Sequence, residues 1–297
     1  MTISVIVPCL ERDAIAERCL AEIRRQAASG RATLDLVVVE GVAPYGRAVN
    51  EGLSRARGDY IAWVDADDDV LPGWWSSICG AVEGRPDVVV MGWHDDQSGM
   101  DLSYVSTDGV VSGNLLRAVL RDDPPCSFLW NKVIRKELWN GERFDERWKF
   151  QADFALLPRI LAKARSVVSV DRMLYRYRFN PESISRRGTA DHVQEIIDVR
   201  WRRFEDWRGT KYVSEAIVPL VTHVAYRYSC TVLKGQNAAD DAILAEQRKR
   251  LRKCWPMVLL ARTGWRERLR TILTTLNWSW PQRLSLMMHG KRLLRVE

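Results

Sequence analysis

Apolar and polar positions along the first half of this chain switch repeatedly between a strand period and a helix period. Ile3–Pro8 is a short apolar run of strand character, followed by Ala14–Ala28 with Ile15, Cys19, Leu20 and Ile23 on one helical face. Leu34–Glu40 predicts a second strand, and Arg47–Arg57 a helix that stops at Gly58. Ile61–Val64, Trp74–Glu83 and Val88–Met91 predict a third strand, a helix and a fourth strand. Strand and helix in alternation imply right-handed crossovers and a parallel sheet. The pattern then loosens. It gives a helix at Gly113–Leu120, a short strand at Lys132–Ile134, a helix at Ala152–Ala164, and strand-like Val167–Val170 and Leu174–Arg178. From about residue 190 the chain reads as helices with charged faces.

One segment adds chemistry to that pattern. Asp65-Ala66-Asp67-Asp68-Asp69 puts four carboxylates in five residues directly after the apolar run Tyr60-Ile61-Ala62-Trp63-Val64. Such a run suits a strand covered on both faces. Carboxylates crowded at its end repel one another unless a cation lies among them, and hard, oxygen-liganded Mg²⁺ or Mn²⁺ is the chemical match. The C-terminal edge of a parallel sheet is also where open α/β folds bind ligands. Asp68 and Asp69 have a plainer reading as caps of the helix that follows Val70-Leu71-Pro72.

Length and charge divide the molecule. A chain of 297 residues, 46% hydrophobic, accommodates one large domain or two smaller ones. It contains no run near the ~18–20 apolar residues of a membrane span, and its start lacks the basic n-region of a signal peptide. Cys9, Cys19, Cys79, Cys126, Cys230 and Cys254 form no C-x-x-C pair, so they are expected to be reduced packing residues of a cytoplasmic protein. The net charge of +7 sits in the tail. Residues 190–297 hold 20 Lys+Arg against 11 Asp+Glu, leaving 25 against 27 for residues 1–189.

Several segments in order carry a family resemblance. They are Val5-Ile6-Val7-Pro8, Val37-Val38-Val39-Glu40, Asn50-Glu51-Gly52-Leu53 and Gly58–Asp68, then Trp130-Asn131-Lys132-Val133, Asp153-Phe154 with Arg159, and Leu174–Arg178 with Ser183-Ile184-Ser185. Together they resemble the nucleotide-sugar glycosyltransferases of family 2, with the GT-A fold, over residues 3 to about 187. The resemblance implies a Rossmann-like, mostly parallel sheet flanked by helices over residues 1–187, followed here by a basic helical region, 188–297. It implies an inverting sugar transfer from a nucleoside-diphosphate donor, UDP-sugar favoured, to a glycan or lipid-linked acceptor, in the setting of bacterial surface polysaccharide assembly. Carried over by position, Asp67 is the metal ligand, and Asp65 touches the ribose or holds a metal-bound water. Glu40 accepts from the base, Pro8 and Cys9 line the donor pocket, Asn50 belongs to the donor site, and Arg178 stands near the diphosphate. Asp153 becomes the base that takes the acceptor proton, with Arg159 six residues on.

This sequence also departs from the family. The stretch between Glu40 and Asn50 is short, Gly41 replaces an acid, Leu10 stands where an aromatic often stacks, and Ala152 replaces the Glu before Asp153. Arg47 is a candidate to compensate by contacting phosphate, and His94 a candidate further metal ligand. The departures keep open a non-catalytic glycan- or partner-binding relative. A nucleotidyltransferase is the other alternative, although Pro8–Arg12 lacks a Gly-rich phosphate loop.

The tail is a separate matter. Arg248–Val296 contains thirteen Lys or Arg and the single acid Glu267. Within Arg262–Asn277, residues Trp265, Leu269, Ile272, Leu273 and Leu276 share a helical face, while Arg262, Arg266 and Arg270 recur at i, i+4; Trp278, Trp280, Leu284, Leu286, Met287 and Leu293 follow. A basic, Trp-bearing amphipathic helix suits an anionic surface on the inner face of the plasma membrane. Packing on the catalytic domain or a homodimer contact are the competing readings. Nucleic acid is not expected, because the cations sit on helices with large apolar faces.

Overall fold

The computed structural model describes residues 1–103, 112–122, 127–149, 151–180, 190–236, 241–260 and 264–278. It divides into two compact units, Met1–Glu195 and Ile196–Glu297. The first unit is built on an eight-stranded mixed sheet.

β1 (Thr2–Cys9) lies beside β2 (Thr33–Glu40), parallel and in register from Thr2 opposite Thr33 to Cys9 opposite Glu40. Its other edge pairs in parallel with β3 (Tyr60–Trp63). Val5, Ile6 and Val7 are fully buried, as expected of a strand covered on both faces. α1 (Ala14–Ala27) starts where the Asp13 carboxylate accepts from the Ile15 and Ala16 amides at 3.0 and 2.8 Å. It buries Ala16, Cys19, Leu20 and Ile23, whereas Ile15, expected on that face, is exposed.

α2 runs from Tyr45 to Arg55, two residues earlier at each end than the periodicity predicts. Gly58 is therefore not its stop. Gly58 lies against β1, donating its amide to Ser4 Oγ at 2.7 Å, and a Cβ there would fall 2.5 Å from the Ser4 nitrogen. Close approach of two backbones, and not helix termination, requires the glycine.

After β3 come a two-residue β4 (Asp69–Val70), α3 (Trp74–Glu83), β5 (Val88–Asp95), β6 (Met100–Leu102), α4 (Ser112–Arg121) and β7 (Lys132–Arg135). A 3₁₀ turn (Lys136–Trp139), α5 (Ala152–Leu161) and β8 (Val167–Tyr177) complete the unit. The strand order is β2-β1-β3-β7-β5-β8-β4, with β6 attached to β5. The longer parallel ladders are β2-β1-β3 and β5-β8. Between them sits β7, antiparallel to both β3 and β5, so the sheet is mixed and not uniformly parallel. The two strand-like pieces near 167 and 174 form one bulged strand. Its ladder with β5 skips between Val170 and Met173, where polar Asp171-Arg172 interrupts the apolar run.

α6 (Ala190–Trp207) begins in the first unit and continues into the second, which is helical among its described residues: α7 (Val213–Leu233), α8 (Ala242–Lys253), α9 (Trp255–Leu260) and α10 (Trp265–Thr275). Trp201, Phe204, Leu220, Val224, Tyr228, Leu244 and Leu251 supply its core. No helix among the described residues is long and apolar enough to cross a membrane. Cys9, Cys19, Cys79, Cys230 and Cys254 are free thiols, and all but Cys230 are buried. The 187/188 boundary, Ser183–Ser185, Arg262, Trp280 and the apolar residues 284–293 lie outside the described residues, as does Cys126.

Candidate active site

The three parallel strands β2, β1 and β3 end together, which puts Glu40, Cys9 and the start of the acidic segment on one edge. Val64 continues β3 by donating to Ile6 O at 3.1 Å, and the chain then turns, Asp68 N donating to Asp65 O at 3.1 Å. The four acids take different parts in that turn.

Asp68 and Asp69 hold the turn to β8. Asp68 is buried; its Oδ2 accepts from the Tyr175 hydroxyl at 2.7 Å and its Oδ1 from the Arg178 amide at 2.8 Å. The Tyr175 oxygen in turn accepts from Asp65 N at 3.1 Å. Asp69 belongs to β4, where it pairs with Arg176 of β8. Its carboxylate accepts from Arg178 Nε at 2.7 Å and Arg18 Nη2 at 3.2 Å. Neither acid caps α3, which begins behind Gly73 in a left-handed conformation.

Asp65 and Asp67 are left for other work. The Asp65 side chain has no hydrogen-bond partner among the described residues, while Asp67 Oδ2 accepts from Asn180 Nδ2 at 2.9 Å. Burial, with the charges of Asp67 and Asp153, pushes Asp65 up to about 7. Burial and the Asp65 charge push Asp68 up to about 9. Asp153 stands in the first turn of α5, behind Gln151 in a left-handed conformation, with Oδ1 accepting the Phe154 amide at 2.8 Å. Burial pushes it up to about 6, against the opposing pull of that amide and of Lys132. The site therefore crowds carboxyl groups closely enough that Asp65, Asp68 and Asp153 all hold their protons more tightly than an ordinary aspartate.

Two further side chains join the site: Tyr45, which sequence reasoning does not single out, and Lys132, whose sequence readings, with Asn131 and Trp130, are acceptor floor or packing. Tyr45 opens α2 after Pro44, and burial together with the charges of Asp65, Asp153, Asp67 and Asp68 holds its phenol well above the usual range. Its signal was the shortened loop, which places the helix start close to the acids. Lys132 is fully buried, donating from Nζ to Phe128 O at 2.8 Å and Asn131 Oδ1 at 2.6 Å. It is the cation that acts on Asp153. Trp130 packs, stacked on Tyr175 at 4.6 Å and Phe128 at 4.8 Å between ring centroids.

The remaining expected residues scatter. Pro8 is partly buried and Cys9 buried at the sheet edge, where burial and the charge of exposed Glu40 push the Cys9 thiol up. Arg47 and Leu10 are exposed. Asn50 has its amide occupied with the 144–146 segment: Nδ2 donates to Phe144 O at 2.9 Å and Glu146 Oε1 at 3.2 Å, and Oδ1 accepts from Phe144 N at 2.9 Å. His94 is held by Asp101, at 2.7 Å from Nδ1, and stands 3.6 Å from Asp96. It does not meet the acids. Arg159 pairs with Glu142 at 3.1 Å. Among the described residues no group of three or more His, Cys, Asp or Glu is arranged to hold a metal ion.

Residues 43–144 match the family model described as glycosyl transferase family 2, a segment that includes the acidic turn but neither Asp153 nor Arg178. The chain is 24% identical over 65% of its length to the uncharacterized glycosyltransferase EpsJ of Bacillus subtilis (strain 168), covering 67% of that protein. It is 27% identical over 54% of its length to the glycosyltransferase GlyG of Streptococcus pneumoniae serotype 4, covering 57% of it. The chain thus spans about two thirds and somewhat over half of these relatives. Among solved structures, residues 1–349 of S. aureus TarS in complex with UDP-GlcNAc align with a TM-score of 0.63 at 15% identity, covering 98% of this chain and 92% of that one. That likeness shows the GT-A fold.

Proposed function

We propose that this chain, with a family 2 glycosyltransferase segment on a GT-A fold, transfers a sugar from a nucleoside diphosphate to an acceptor hydroxyl with inversion. A UDP-sugar is the favoured donor and a bacterial glycan or lipid-linked glycan the acceptor. One observation carries the reading: the charges of Asp67 and Asp153 both reach Asp65 beyond the end of β3 and burial raises Asp65 and Asp153, while the nearest cations, Lys132 and Arg178, are held by Asn131 with Phe128 O and by Asp69.

Such a site fits a divalent ion and a diphosphate together. Asp65 and Asp67 supply two carboxylates, fewer than a closed protein cage, and Mg²⁺-type sites commonly combine one or two carboxylates with substrate phosphates. Bound there, Mn²⁺ or Mg²⁺ would neutralise charge developing on the departing diphosphate. Asp68 and Asp69, locked to β8, fix the turn that aims Asp65 and Asp67. Arg178 brings a guanidinium to the same turn, next to the expected diphosphate position.

Asp153 takes the acceptor proton. A carboxyl poised near 6 is a stronger base than an ordinary aspartate yet is mostly ionised at neutral pH. Lys132 keeps it ionised by opposing the burial cost. Ala152 leaves a buried methyl where the family carries a Glu, so Asp153 acts without that neighbour. Cys9 and Glu40, at the ends of β1 and β2, line the side where a base would lie.

Calorimetry of UDP with and without Mn²⁺, on the native chain and on Asp67→Ala, tests the reading. Mn²⁺-dependent binding that disappears in the variant supports it. Absence of UDP binding under both conditions refutes the uridine donor, and failure of other nucleoside diphosphates refutes the transferase reading.

A further inference from the structure

Helix α10 is packed with its polar side inward. Thr271, Thr274 and Thr275 are buried, and the hydroxyls of Thr274 and Thr275 donate to Arg270 O and Ile272 O one turn back, each at 2.8 Å. Trp255 Nε1 donates to Thr275 Oγ1 at 3.0 Å, and Arg270 Nη2 to Ser229 Oγ at 3.1 Å. The opposite side faces solvent with the larger apolar residues. Trp265 is 69% exposed, Leu269 47% and Leu276 50%, and their spacing sets them in one stripe. Leu260 at the end of α9 and Trp278 beyond α10 are also exposed. A helix folded for water alone would turn this stripe inward. Contiguous exposed apolar side chains mark an interaction surface.

The charge of this stretch of chain selects the partner. Residues 249–278 contain eight Lys or Arg and one acid, Glu267. Lys249 and Lys253 are exposed on α8, while Arg252 beside them donates from Nε to Thr275 O at 2.9 Å. Residues 196–297 hold 20 Lys+Arg and nine Asp+Glu, a balance of 20 − 9 = +11, so two copies meeting through this unit would repel. An anionic bilayer satisfies both features: headgroups take the cations, and the headgroup–acyl boundary takes Trp and Leu. We infer that the α9–α10 face docks on an anionic lipid surface. This inference stands apart from the catalytic reading, because it uses none of the acidic-turn residues.

The test is sedimentation of the full chain with vesicles of phosphatidylcholine alone and of equimolar phosphatidylcholine and phosphatidylglycerol. The comparison variant is Trp265→Ser/Leu269→Ser, whose altered positions are exposed; its melting temperature checks folding. Expected is binding to the anionic vesicles that weakens with salt, little binding to the neutral ones, and a loss of about tenfold or more in the variant. Absence of binding to anionic vesicles, or equal binding by native chain and folded variant, overturns the inference. So does light scattering that shows a native dimer converted to monomer by the variant, since the face would then be a protein interface. UDP calorimetry on the same samples keeps this result separate from the donor-site reading.

Discussion

Replacing Tyr175 by Phe deletes one hydroxyl from a fully buried position and tests how the acidic turn is held. That oxygen donates to Asp68 Oδ2 at 2.7 Å and accepts from Asp65 N at 3.1 Å. Phe keeps the ring, and with it the 4.6 Å stack on Trp130, so the loss is confined to the two hydrogen bonds. Leaving a buried polar group unpaired costs about 1–3 kcal/mol. Asp68 keeps the Arg178 amide at 2.8 Å, which limits the damage on its side, so the combined loss is roughly 2–4 kcal/mol. For a unit of this size each kcal/mol lowers the melting temperature by about 2–4 °C, giving a fall of roughly 5–15 °C. Thermal unfolding measures that fall, and calorimetry with UDP and Mn²⁺ measures whether Asp65 and Asp67 keep their aim. A Tyr175→Phe chain that melts within about 1 °C of the native one and binds UDP equally well refutes the idea that this hydroxyl fixes the turn.

Other consequences are as direct. Asp153→Asn should lower turnover by about 10²–10⁴-fold with UDP binding retained; unchanged turnover would remove Asp153 as the base. Asp65 and Asp68 are raised from an ordinary 3.8 to about 7 and about 9, so the native state holds protons that the unfolded chain has released. Their contribution to stability is therefore fully present below about pH 4 and is lost as pH rises through the folded values. The cation-free chain should melt lower at about pH 8 than at about pH 5, and Mn²⁺ with UDP should narrow the gap; a melting temperature that climbs over that range would contradict the charge crowding. Asn50→Ala removes three hydrogen bonds between α2 and residues 144–146 and should destabilise the chain by about 2 kcal/mol or more, read by urea unfolding. A variant as stable as the native chain would show those bonds to be without weight.

By itself the sequence determined the alternating strands and helices, the buried run ahead of the acids, and the crowding of charge at that strand end. These are local properties: a five-residue apolar run and four carboxylates in the next five residues constrain the backbone and the charge wherever the chain goes. Only the tertiary structure decided how the four acids divide their work. Asp68 and Asp69 look like Asp65 and Asp67 in sequence, but β8 and the residue after it, more than a hundred residues on, return Tyr175 and Arg178 to two of them, while Asp67 meets Asn180 and the Asp65 side chain has no hydrogen-bond partner among the described residues. Antiparallel β7, the buried Lys132 acting on Asp153, and Tyr45 at the acids depend in the same way on contacts between distant segments. In the tail the helical period was legible, but the direction of its apolar face was not. Period fixes which residues share a stripe; the packing of Thr271, Thr274 and Thr275 inward decides that the stripe of Trp265, Leu269 and Leu276 faces solvent.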